Sequence, residues 1–338
     1  MMKDAIFKSH WERAQSHVVL DVDTAQRLLS PYSREPITNI QLLSDGCANT
    51  NYKISFKSDI VAPVVLRLYA REKSALMREI TLYRMLAEKL PVPKPLYEDT
   101  SCTVFKQPYA IMSWIEGTLM RNVILSGDEK AIHDCAFEAG LYLNHLRQMT
   151  FKQSGFFQAD LTITPFHESE KYQPFILALL QNAIVKESLG DSLHHAVLAW
   201  IEQHLNLLPD ERNANLVHGD FDPANILVKQ INGQWKITAI LDWEFAFAGS
   251  YGFDMGTFLR YAHKLPACYE QRFINGVEAD GSKLSLNWKT QVKLMDLLFL
   301  LQLLHDNPIK SRPNLNHDVV ALIAHTIKAY HHTKQIFG

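Results

Sequence analysis

The chain has 338 residues, of which 47% are hydrophobic and 21% charged, and its formal net charge is −2. This length allows two modest domains or one large two-lobed domain, and the composition is that of a folded globular protein rather than a disordered chain. A charge so close to neutral gives no support for a general attraction to nucleic acid or to an anionic membrane.

The N-terminal residues and the cysteines bear on the compartment. Charged side chains begin at Lys3, and the apolar core of a secretory signal is missing. The most apolar run, Leu294 to Leu304, contains Asp296 and is shorter than the roughly 20 residues that span a bilayer. The four cysteines are far apart and form no C-x-x-C pair, which argues against a zinc cluster or a dithiol redox motif. We therefore expect a cytoplasmic protein with free thiols and no membrane partner.

The first third of the chain has the pattern of a β-rich unit. Residues 37–70 predict three strands, ITNIQLL, NYKISF and APVVLRLY, which are rich in β-branched and aromatic residues and are separated by turn formers. Apolar residues at helical spacing predict a helix over 74–90, which two prolines end. Two further strands are predicted at 96–98 and 103–113. Neighbouring strands of this kind favour an antiparallel meander.

Helical patterns dominate after residue 117 and enclose one more β-rich region, at 215–245. Helices are predicted over 127–149, 191–208, 290–304 and 318–334. The predicted fold class is therefore α+β, with a small antiparallel β-rich lobe and a larger, mainly helical lobe. We place the β-rich lobe at 1–112 with an N-terminal extension over 1–35, a hinge at 113–117, and the helical lobe at 118–338. A cleft between such lobes is where small ligands usually bind.

The strongest chemical signal is the sequence LVHGDFDPANILV at 216–228, followed by Asp242 in AILDWEFA. Apolar strands lead into and out of this stretch, so Asp220, Asn225 and Asp242 are expected at the ends of neighbouring strands. Oxygen ligands in this number suit Mg²⁺, which prefers one or two carboxylates together with substrate phosphates. An Asp five residues before an Asn, with a second Asp after a later strand, is also the spacing of protein-kinase catalytic loops. The alternative is an ordinary strand–turn–strand with polar turn residues.

The residues His218-Gly219-Asp220 and Asn225 resemble the catalytic loop of the aminoglycoside phosphotransferase and choline kinase superfamily. That superfamily has His-Gly-Asp where protein kinases have His-Arg-Asp. The resemblance implies a protein-kinase-like two-lobed fold in which Asp220 orients the acceptor hydroxyl and accepts its proton. It also implies that Asn225 and Asp242 hold Mg²⁺ on the phosphates of ATP, with GTP as a possible substitute, and that His218 supports the backbone of the loop.

A second feature is a pair of charged residues at apolar positions. Arg67 lies in the middle of the predicted strand VVLRLY, where a lone cation is costly unless it is paired. Glu79 lies on the apolar stripe of the following helix, so the two side chains are expected to meet. Kinases use such a pair to bring a strand cation to the nucleotide phosphates, and the superfamily often has Arg in place of Lys. A purely architectural ion pair is the alternative.

The turn SDGCANTNYK at 44–53 lies between the first two predicted strands. Gly46 followed by Asn49 and Tyr52 resembles the phosphate-covering loop of the superfamily, although the G-x-G-x-x-G pattern is not present. An ordinary hairpin turn explains the same residues.

Two further predictions concern the segment between the lobes and the start of a helix. The stretch Met112-Ser113-Trp114-Ile115 is a candidate hinge that would offer backbone groups, at Ser113 and Ile115, to the adenine edge; a linker without a ligand is the alternative. Asp254, in GSYGFDMG, resembles the Asp that braces the catalytic loop in this superfamily. A plain helix cap would also place an Asp there.

These residues predict an enzyme that transfers the γ-phosphate of ATP to a hydroxyl of a small molecule. A pseudokinase is the rival, but Asp220, Asn225 and Asp242 are all present. A protein kinase is disfavoured because the loop lacks the Arg that reads a phosphorylated activation loop. Aminoglycosides are the first candidate acceptors by resemblance, with choline-like amines, amino alcohols and sugars left open. Charge does not decide among them, because residues 120–215 carry 12 acidic and 7 basic residues whereas 246–338 carry 7 and 10. No oligomeric state is predicted.

Overall fold

The computed structural model describes residues 6–43, 48–70, 73–212 and 214–337, with side chains as far as residue 329. It confirms the predicted fold class: the chain forms a smaller lobe around an antiparallel sheet and a larger, mainly helical lobe. In the part of the chain that is described, none of the helices is both long and apolar enough to cross a membrane.

The smaller lobe is built on a five-stranded antiparallel sheet with strand order β1-β2-β3-β5-β4. The strands are β1 (Ile37–Leu43), β2 (Thr50–Phe56), β3 (Val64–Leu68), β4 (Pro95–Asp99) and β5 (Tyr109–Ser113). Buried and half-buried residues alternate along β2, as expected for a strand with one face on a core. Helix α1 (Val22–Leu29) adds Leu28 and Leu29 to that core. The strand predicted over 103–113 is shorter than expected, because only its second half pairs in the sheet.

Helix α2 (Lys73–Leu86) follows β3 and turns its buried face toward the larger lobe. The periodicity predicted a helix to Leu90, but the regular helix ends at Leu86. Lys89 and Leu90 both donate their backbone N–H groups to the Leu86 carbonyl. Pro91 follows directly, and a residue before proline is disfavoured in the α conformation. The apolar stripe continues past the helix because Leu90 is still buried.

The larger lobe contains the remaining helices. They are α3 (Met120–Leu125), α4 (Glu129–Arg147), α5 (Tyr172–Gln181), α6 (Ala183–His204), α7 (Gly252–Leu259), α8 (Cys268–Val277), α9 (Trp288–Asp306) and α10 (Pro313–Phe337). The helix predicted over 191–208 is the second arm of α6, which is kinked at Gly190, where φ is 67°. Helices α4 and α8 approach closely through Gly140, where a Cβ would lie 2.1 Å from the Phe273 carbonyl oxygen.

Two small sheets in the larger lobe carry the predicted chemistry. Strands β7 (Thr150–Phe151), β8 (Gly155–Phe157), β9 (Ile163–Pro165), β10 (Ala214–Val217) and β13 (Phe247–Gly249) form one, in the order β7-β10-β13-β8-β9. Strands β6 (Thr118–Leu119), β11 (Ile226–Ile231) and β12 (Gln234–Ile240) form the other, in the order β12-β11-β6. Ile226 pairs with Ile240 in the β11–β12 hairpin. This register brings the residue before β11 and the turn after β12 together.

The N-terminal segment, residues 6–18, runs between the two lobes. Phe7 is fully buried against the rings of Tyr261 and Tyr269 in the larger lobe. Further along, Arg13 donates to the carbonyl of Asn49 in the smaller lobe. The lobe boundaries predicted from the sequence stay a prediction, and residues 7–12, which that scheme assigned to an extension of the β-rich lobe, pack against the helical lobe.

Candidate active site

The loop that follows β10 is held in shape by its own histidine and glycine. Gly219 has a φ of 80°, and a Cβ there would lie 2.4 Å from the Phe245 carbonyl oxygen, so only glycine fits. His218 is buried, which lowers its pKa and keeps the ring neutral. Its Nε2 donates to the Leu241 carbonyl over 2.8 Å, and its Nδ1 accepts the backbone N–H of Asp220. His218 therefore acts on the loop backbone.

Asp254, in the first turn of α7, holds the same loop through hydrogen bonds to its backbone. Its Oδ2 accepts the backbone N–H of His218 over 2.7 Å, and its Oδ1 accepts that of Gly219 over 3.0 Å. The residue is fully buried, and burial raises its pKa to about 7. The brace that the resemblance implied for Asp254 thus has a geometric counterpart, because its carboxyl group satisfies two otherwise unpaired buried donors.

Asp220 has polar contacts from two directions. Asn225 Nδ2 donates to Asp220 Oδ2 over 2.8 Å and to its carbonyl oxygen over 3.0 Å. Lys8 Nζ lies 2.5 Å from Oδ1 and 2.6 Å from Oδ2. Burial alone would raise the pKa of Asp220, but the charge and hydrogen bond of Lys8 outweigh it, so the pKa lies below its ordinary value. Asp220 is therefore ionised at neutral pH.

Lys8 is a site residue that the sequence did not indicate. It lies 212 positions before Asp220, outside every motif, and no local pattern distinguishes it from a surface lysine. Burial lowers its pKa, but the charges of Asp220 and Asp222 and the hydrogen bond to Asp220 outweigh that effect, so the pKa lies above its ordinary value. Contact between such distant residues depends on how the segment folds back.

Asn225 and Asp242 are neighbours because of the β11–β12 hairpin. The Leu241 N–H donates to the Asn225 carbonyl over 2.8 Å, which places Asp242 directly beyond the paired strands. Asn225 uses its Nδ2 on Asp220, so its amide oxygen is the atom that a cation would bind. Asp242 has a left-handed backbone with φ of 67° and a partly exposed carboxylate. Asp242 and Asn225 fit Mg²⁺ carried in by nucleotide phosphates, which needs few protein ligands.

Glu79 links helix α2 to β3 and to the Asp242 turn. The Arg67–Glu79 ion pair expected from the sequence is present, with Nε to Oε2 at 3.1 Å. Glu79 also accepts from the Tyr69 hydroxyl over 2.6 Å and from the Trp243 N–H over 3.1 Å. It is fully buried, which raises its pKa despite the opposing charge of Arg67. Arg67 also forms an ion pair with Asp242, in which Arg67 Nη2 lies 2.5 Å from Asp242 Oδ1.

Gly46 and Asn49 are the residues predicted for the phosphate-covering loop. Gly46 lies outside the described residues. Asn49 is buried, with Nδ2 donating to Glu244 Oε2 over 3.2 Å and Oδ1 accepting the Ala70 N–H over 3.0 Å. Its amide thus fastens the loop to the smaller sheet and to the larger lobe. Its role toward phosphate stays a prediction.

The hinge residues end strand β5 and continue toward β6. The Ser113 N–H donates to the Lys94 carbonyl over 2.9 Å, and the Ser113 Oγ accepts the Lys94 N–H over 2.8 Å. The backbone N–H of Ser113 is therefore already used within the protein. Ile115 follows in a half-buried position. Contact of Ser113 and Ile115 with adenine stays a prediction.

A cavity of about 660 Å³ brings together three of the four residues predicted for catalysis and metal binding. Asp220, Asn225 and Asp242 all line it, and its volume is within the range of small-molecule sites. Of the other predicted site residues that the structure describes, His218, Arg67, Glu79, Asn49, Ser113 and Ile115 lie outside this lining. Asp220, Asn225 and Asp242 therefore share one cavity, and the roles of the other predicted residues toward a nucleotide stay predictions.

Comparison with known proteins gives one family and several solved structures of similar fold. A family model described as the phosphotransferase enzyme family matches residues 39–285. No curated protein sequence matches the chain. Among solved structures, a thermostable mutant of the aminoglycoside phosphotransferase APH(4)-Ia in complex with AMP-PNP and hygromycin B is 20% identical, with a TM-score of 0.61 over 88% of this chain and 96% of that chain.

Two further structures are similar in fold. The GDP and kanamycin complex of APH(2")-IIIa is 16% identical, with a TM-score of 0.68 over 92% of this chain and 99% of that chain. A putative aminoglycoside phosphotransferase from Ralstonia eutropha JMP134 is 16% identical, with a TM-score of 0.60 over 90% of this chain and 98% of that chain. These similarities confirm the kinase-like two-lobed fold that the catalytic-loop motif implied.

Proposed function

This chain belongs to the phosphotransferase enzyme family, and from that premise we propose that it transfers the γ-phosphate of ATP to a hydroxyl group of a small molecule. The observation that carries the proposal is the convergence of Asp220, Asn225 and Asp242 on one cavity large enough for a small acceptor. Oxygen side chains at this spacing are what phosphoryl transfer between a nucleotide and an alcohol requires.

In the proposed reaction Asp220 accepts the proton of the acceptor hydroxyl while the hydroxyl oxygen bonds to the γ-phosphorus. The bond from that phosphorus to the β,γ-bridging oxygen breaks, and ADP leaves. Asn225 holds the Asp220 carboxylate in orientation through its 2.8 Å hydrogen bond. His218 and Asp254 keep the loop backbone in place without meeting the ligand. Most of the catalysis therefore comes from positioning and charge.

Asn225 and Asp242 would hold Mg²⁺ on the nucleotide. The metal, when bound, neutralises charge that develops on the phosphates. Arg67 would contact the phosphates beside the metal, since it is paired with both Asp242 and Glu79. ATP is the proposed donor and GTP an open alternative, because the similar structures include an AMP-PNP complex of one protein and a GDP complex of another. A cytoplasmic location is proposed from the cysteine pattern.

Replacing Asp242 by Ala should abolish most of the enhancement that Mg²⁺ gives to ATP binding, because the metal bridges a protein carboxylate and the phosphates. Calorimetry of the variant with ATP, with and without Mg²⁺, measures this. Asp280→Ala is the matched control, since Asp280 pairs with Arg147 on the surface, outside the cavity lining. Full Mg²⁺ enhancement in folded Asp242→Ala would remove Asp242 from the metal site.

A turnover screen tests the function as a whole. Hydroxylated metabolites and antibiotics, including aminoglycosides, choline, amino alcohols and sugars, are offered with Mg²⁺ and either ATP or GTP, and phosphorylated product is detected by mass spectrometry. A catalytically silent nucleotide-binding protein is the rival, and it predicts nucleotide binding with no product for any acceptor. Absence of both nucleotide binding and product would contradict the proposed function itself.

A further inference from the structure

Aromatic rings make up much of the lining of the cavity that contains Asp220. Those in mutual contact are Phe156, Phe166, Tyr172, Phe247, Phe253 and Phe299. The ring centroids of Phe156 and Phe166 are 4.9 Å apart, and those of Phe253 and Phe299 are 4.7 Å apart. Phe247 connects the two pairs, with centroids 6.2 Å from Phe166 and 5.6 Å from Phe253. The rings therefore form one continuous apolar surface.

Two rings at this cavity are exposed to solvent. Phe156 is 46% exposed and Phe245, in the turn after Asp242, is 40% exposed. Both line the cavity. Exposed phenylalanine rings beside a cavity with convergent polar groups can be contacted by the apolar part of a bound ligand.

Charge in the cavity does not suit a polycation. Asp220 and Asp242 are assigned to catalysis and the metal, and Glu244 accepts a hydrogen bond from Asn49, which leaves Glu170 and Asp306 among the described carboxylates of the lining. Among the basic side chains of the same lining, Lys8 is paired with Asp220 and Arg260 with Asp296, so these two add no unbalanced positive charge. An acceptor with several ammonium groups would have only the Glu170 and Asp306 carboxylates of the described lining as partners, and an ammonium group without a partner is costly in a desolvated site.

We propose that the acceptor is an alcohol with an apolar or aromatic body and at most one positive charge, bound against this aromatic surface. The proposal rests on the proposed function. It specifies the acceptor class and disfavours the aminoglycosides that the resemblance suggested. Specificity would come from apolar contact at the body and from Asp220 at the hydroxyl, so the same alcohol carrying several amines would bind worse.

Probe binding tests this without turnover. 8-Anilinonaphthalene-1-sulfonate is titrated by fluorescence into the wild type, into Phe156→Ser and Phe245→Ser, and into the control Ile231→Ser, which changes an exposed apolar residue outside the cavity lining. Loss of contact with one ring should weaken probe binding by about 10-fold, and the control should behave as wild type. Kanamycin A should not displace the probe. These variants alter exposed positions, so folding should survive.

Unchanged probe affinity in both phenylalanine variants, or displacement of the probe by kanamycin A at a lower concentration than the probe's own Kd, would overturn the acceptor class. Either outcome leaves Mg²⁺-dependent ATP binding, and with it the proposed function, untouched. Loss of ATP binding in the wild type would overturn the function and leave the probe result to describe only the cavity.

An independent observation concerns the bidentate ion pair between Lys8 and Asp220. A carboxylate offers about four lone-pair positions. Lys8 takes one on each oxygen, at 2.5 Å and 2.6 Å, and Asn225 takes a second on Oδ2 at 2.8 Å. One position on Oδ1 is left for an acceptor hydroxyl.

Lys8 is carried by a firmly packed stretch. Phe7 before it is buried between aromatic rings, and Trp11 after it donates its Nε1 to Asp318 over 2.9 Å. The Glu12 carboxylate accepts the first backbone N–H groups of α10, from Asn314 and Leu315. The ammonium group is thus a resident part of the site rather than the end of a loose tail.

We infer that Lys8 is a positioning residue, which fixes the rotation of the Asp220 carboxylate so that its remaining Oδ1 position faces the acceptor. This inference rests on the proposed function and is independent of the acceptor class. The competing role, a plug that the acceptor must displace, predicts the opposite kinetic change.

Hydrolysis of Mg·ATP with water as acceptor tests the role of Lys8. We expect Lys8→Met to lower kcat by roughly 10- to 100-fold with KM for ATP unchanged, because a small misplacement of a catalytic group has an effect of this size. Lys8→Arg should recover part of the loss. Lys236→Met is the control, since it breaks a more exposed lysine–carboxylate pair, with Glu138, outside the cavity lining. If Lys8→Met does not fold, Lys8→Gln replaces it.

A kcat equal to or above that of the wild type in folded Lys8→Met would overturn the positioning role, and an increase would identify a plug. Equal losses in Lys8→Met and Lys236→Met would do the same, because the effect would then be one of general stability. A wild type that neither binds nor hydrolyses Mg·ATP would overturn the proposed function and the role of Lys8 together.

Discussion

We expect Asp220→Asn to retain the fold and nucleotide binding and to lower turnover by roughly 10²–10⁴-fold, the usual effect of losing a general base. The amide is close to the carboxylate in shape and keeps an oxygen for Asn225 Nδ2, which now donates to Asp220 Oδ2 over 2.8 Å. It cannot take the proton of an acceptor hydroxyl. Steady-state kinetics with Mg·ATP, together with calorimetry of ATP binding, measure the two effects separately.

The structure adds a complication to this prediction, because Asp220→Asn also leaves Lys8 buried without its opposite charge. A loss of stability could therefore imitate a loss of catalysis. The double variant Asp220→Asn with Lys8→Met removes both charges and should regain melting temperature without regaining turnover. Near-normal kcat in folded Asp220→Asn would exclude Asp220 as the base.

Glu79→Ala should have the largest effect on stability. The change leaves Arg67 with Asp242 as its remaining carboxylate and deprives the Tyr69 hydroxyl and the Trp243 N–H of their acceptor. Breaking a buried ion pair by removing one partner costs about 3–5 kcal/mol. Urea unfolding should show that loss, and Glu79→Gln, which keeps an acceptor oxygen, should lose less. Equal stability of Glu79→Ala and the wild type would contradict the buried network.

Arg67→Ala then separates a catalytic pair from an architectural one. If Arg67 meets the ATP phosphates, ATP binding should weaken by the equivalent of about 1.5–3 kcal/mol, the value of a charge-assisted contact. Glu79→Ala should then reduce the rate mainly by misplacing Arg67. Unchanged ATP affinity in folded Arg67→Ala would show that the Arg67–Glu79 pair is structural and mainly supports the Asp242 turn.

Short-range patterns explain why much of the fold could be predicted. Strand alternation in β2 and apolar stripes in the long helices depend on neighbours a few residues away, so the sequence contains the signal directly. Element ends were less predictable. The stripe of α2 runs past its last helical turn, and Gly190 kinks α6 where the pattern showed only a helix start. Such ends are decided by packing and by backbone conformation rather than by periodicity.

The sequence by itself determined the α+β class and the grouping of Asp220, Asn225 and Asp242, because a local loop and one hairpin register suffice to bring those residues together. Only the tertiary structure decided which side chains surround them. Lys8 reaches Asp220 across 212 positions, and the aromatic lining comes from strands and helices scattered through the larger lobe. Contacts of this kind arise from the packing of whole elements. The residues next to a lysine or a phenylalanine in the sequence do not indicate which distant residue it will contact.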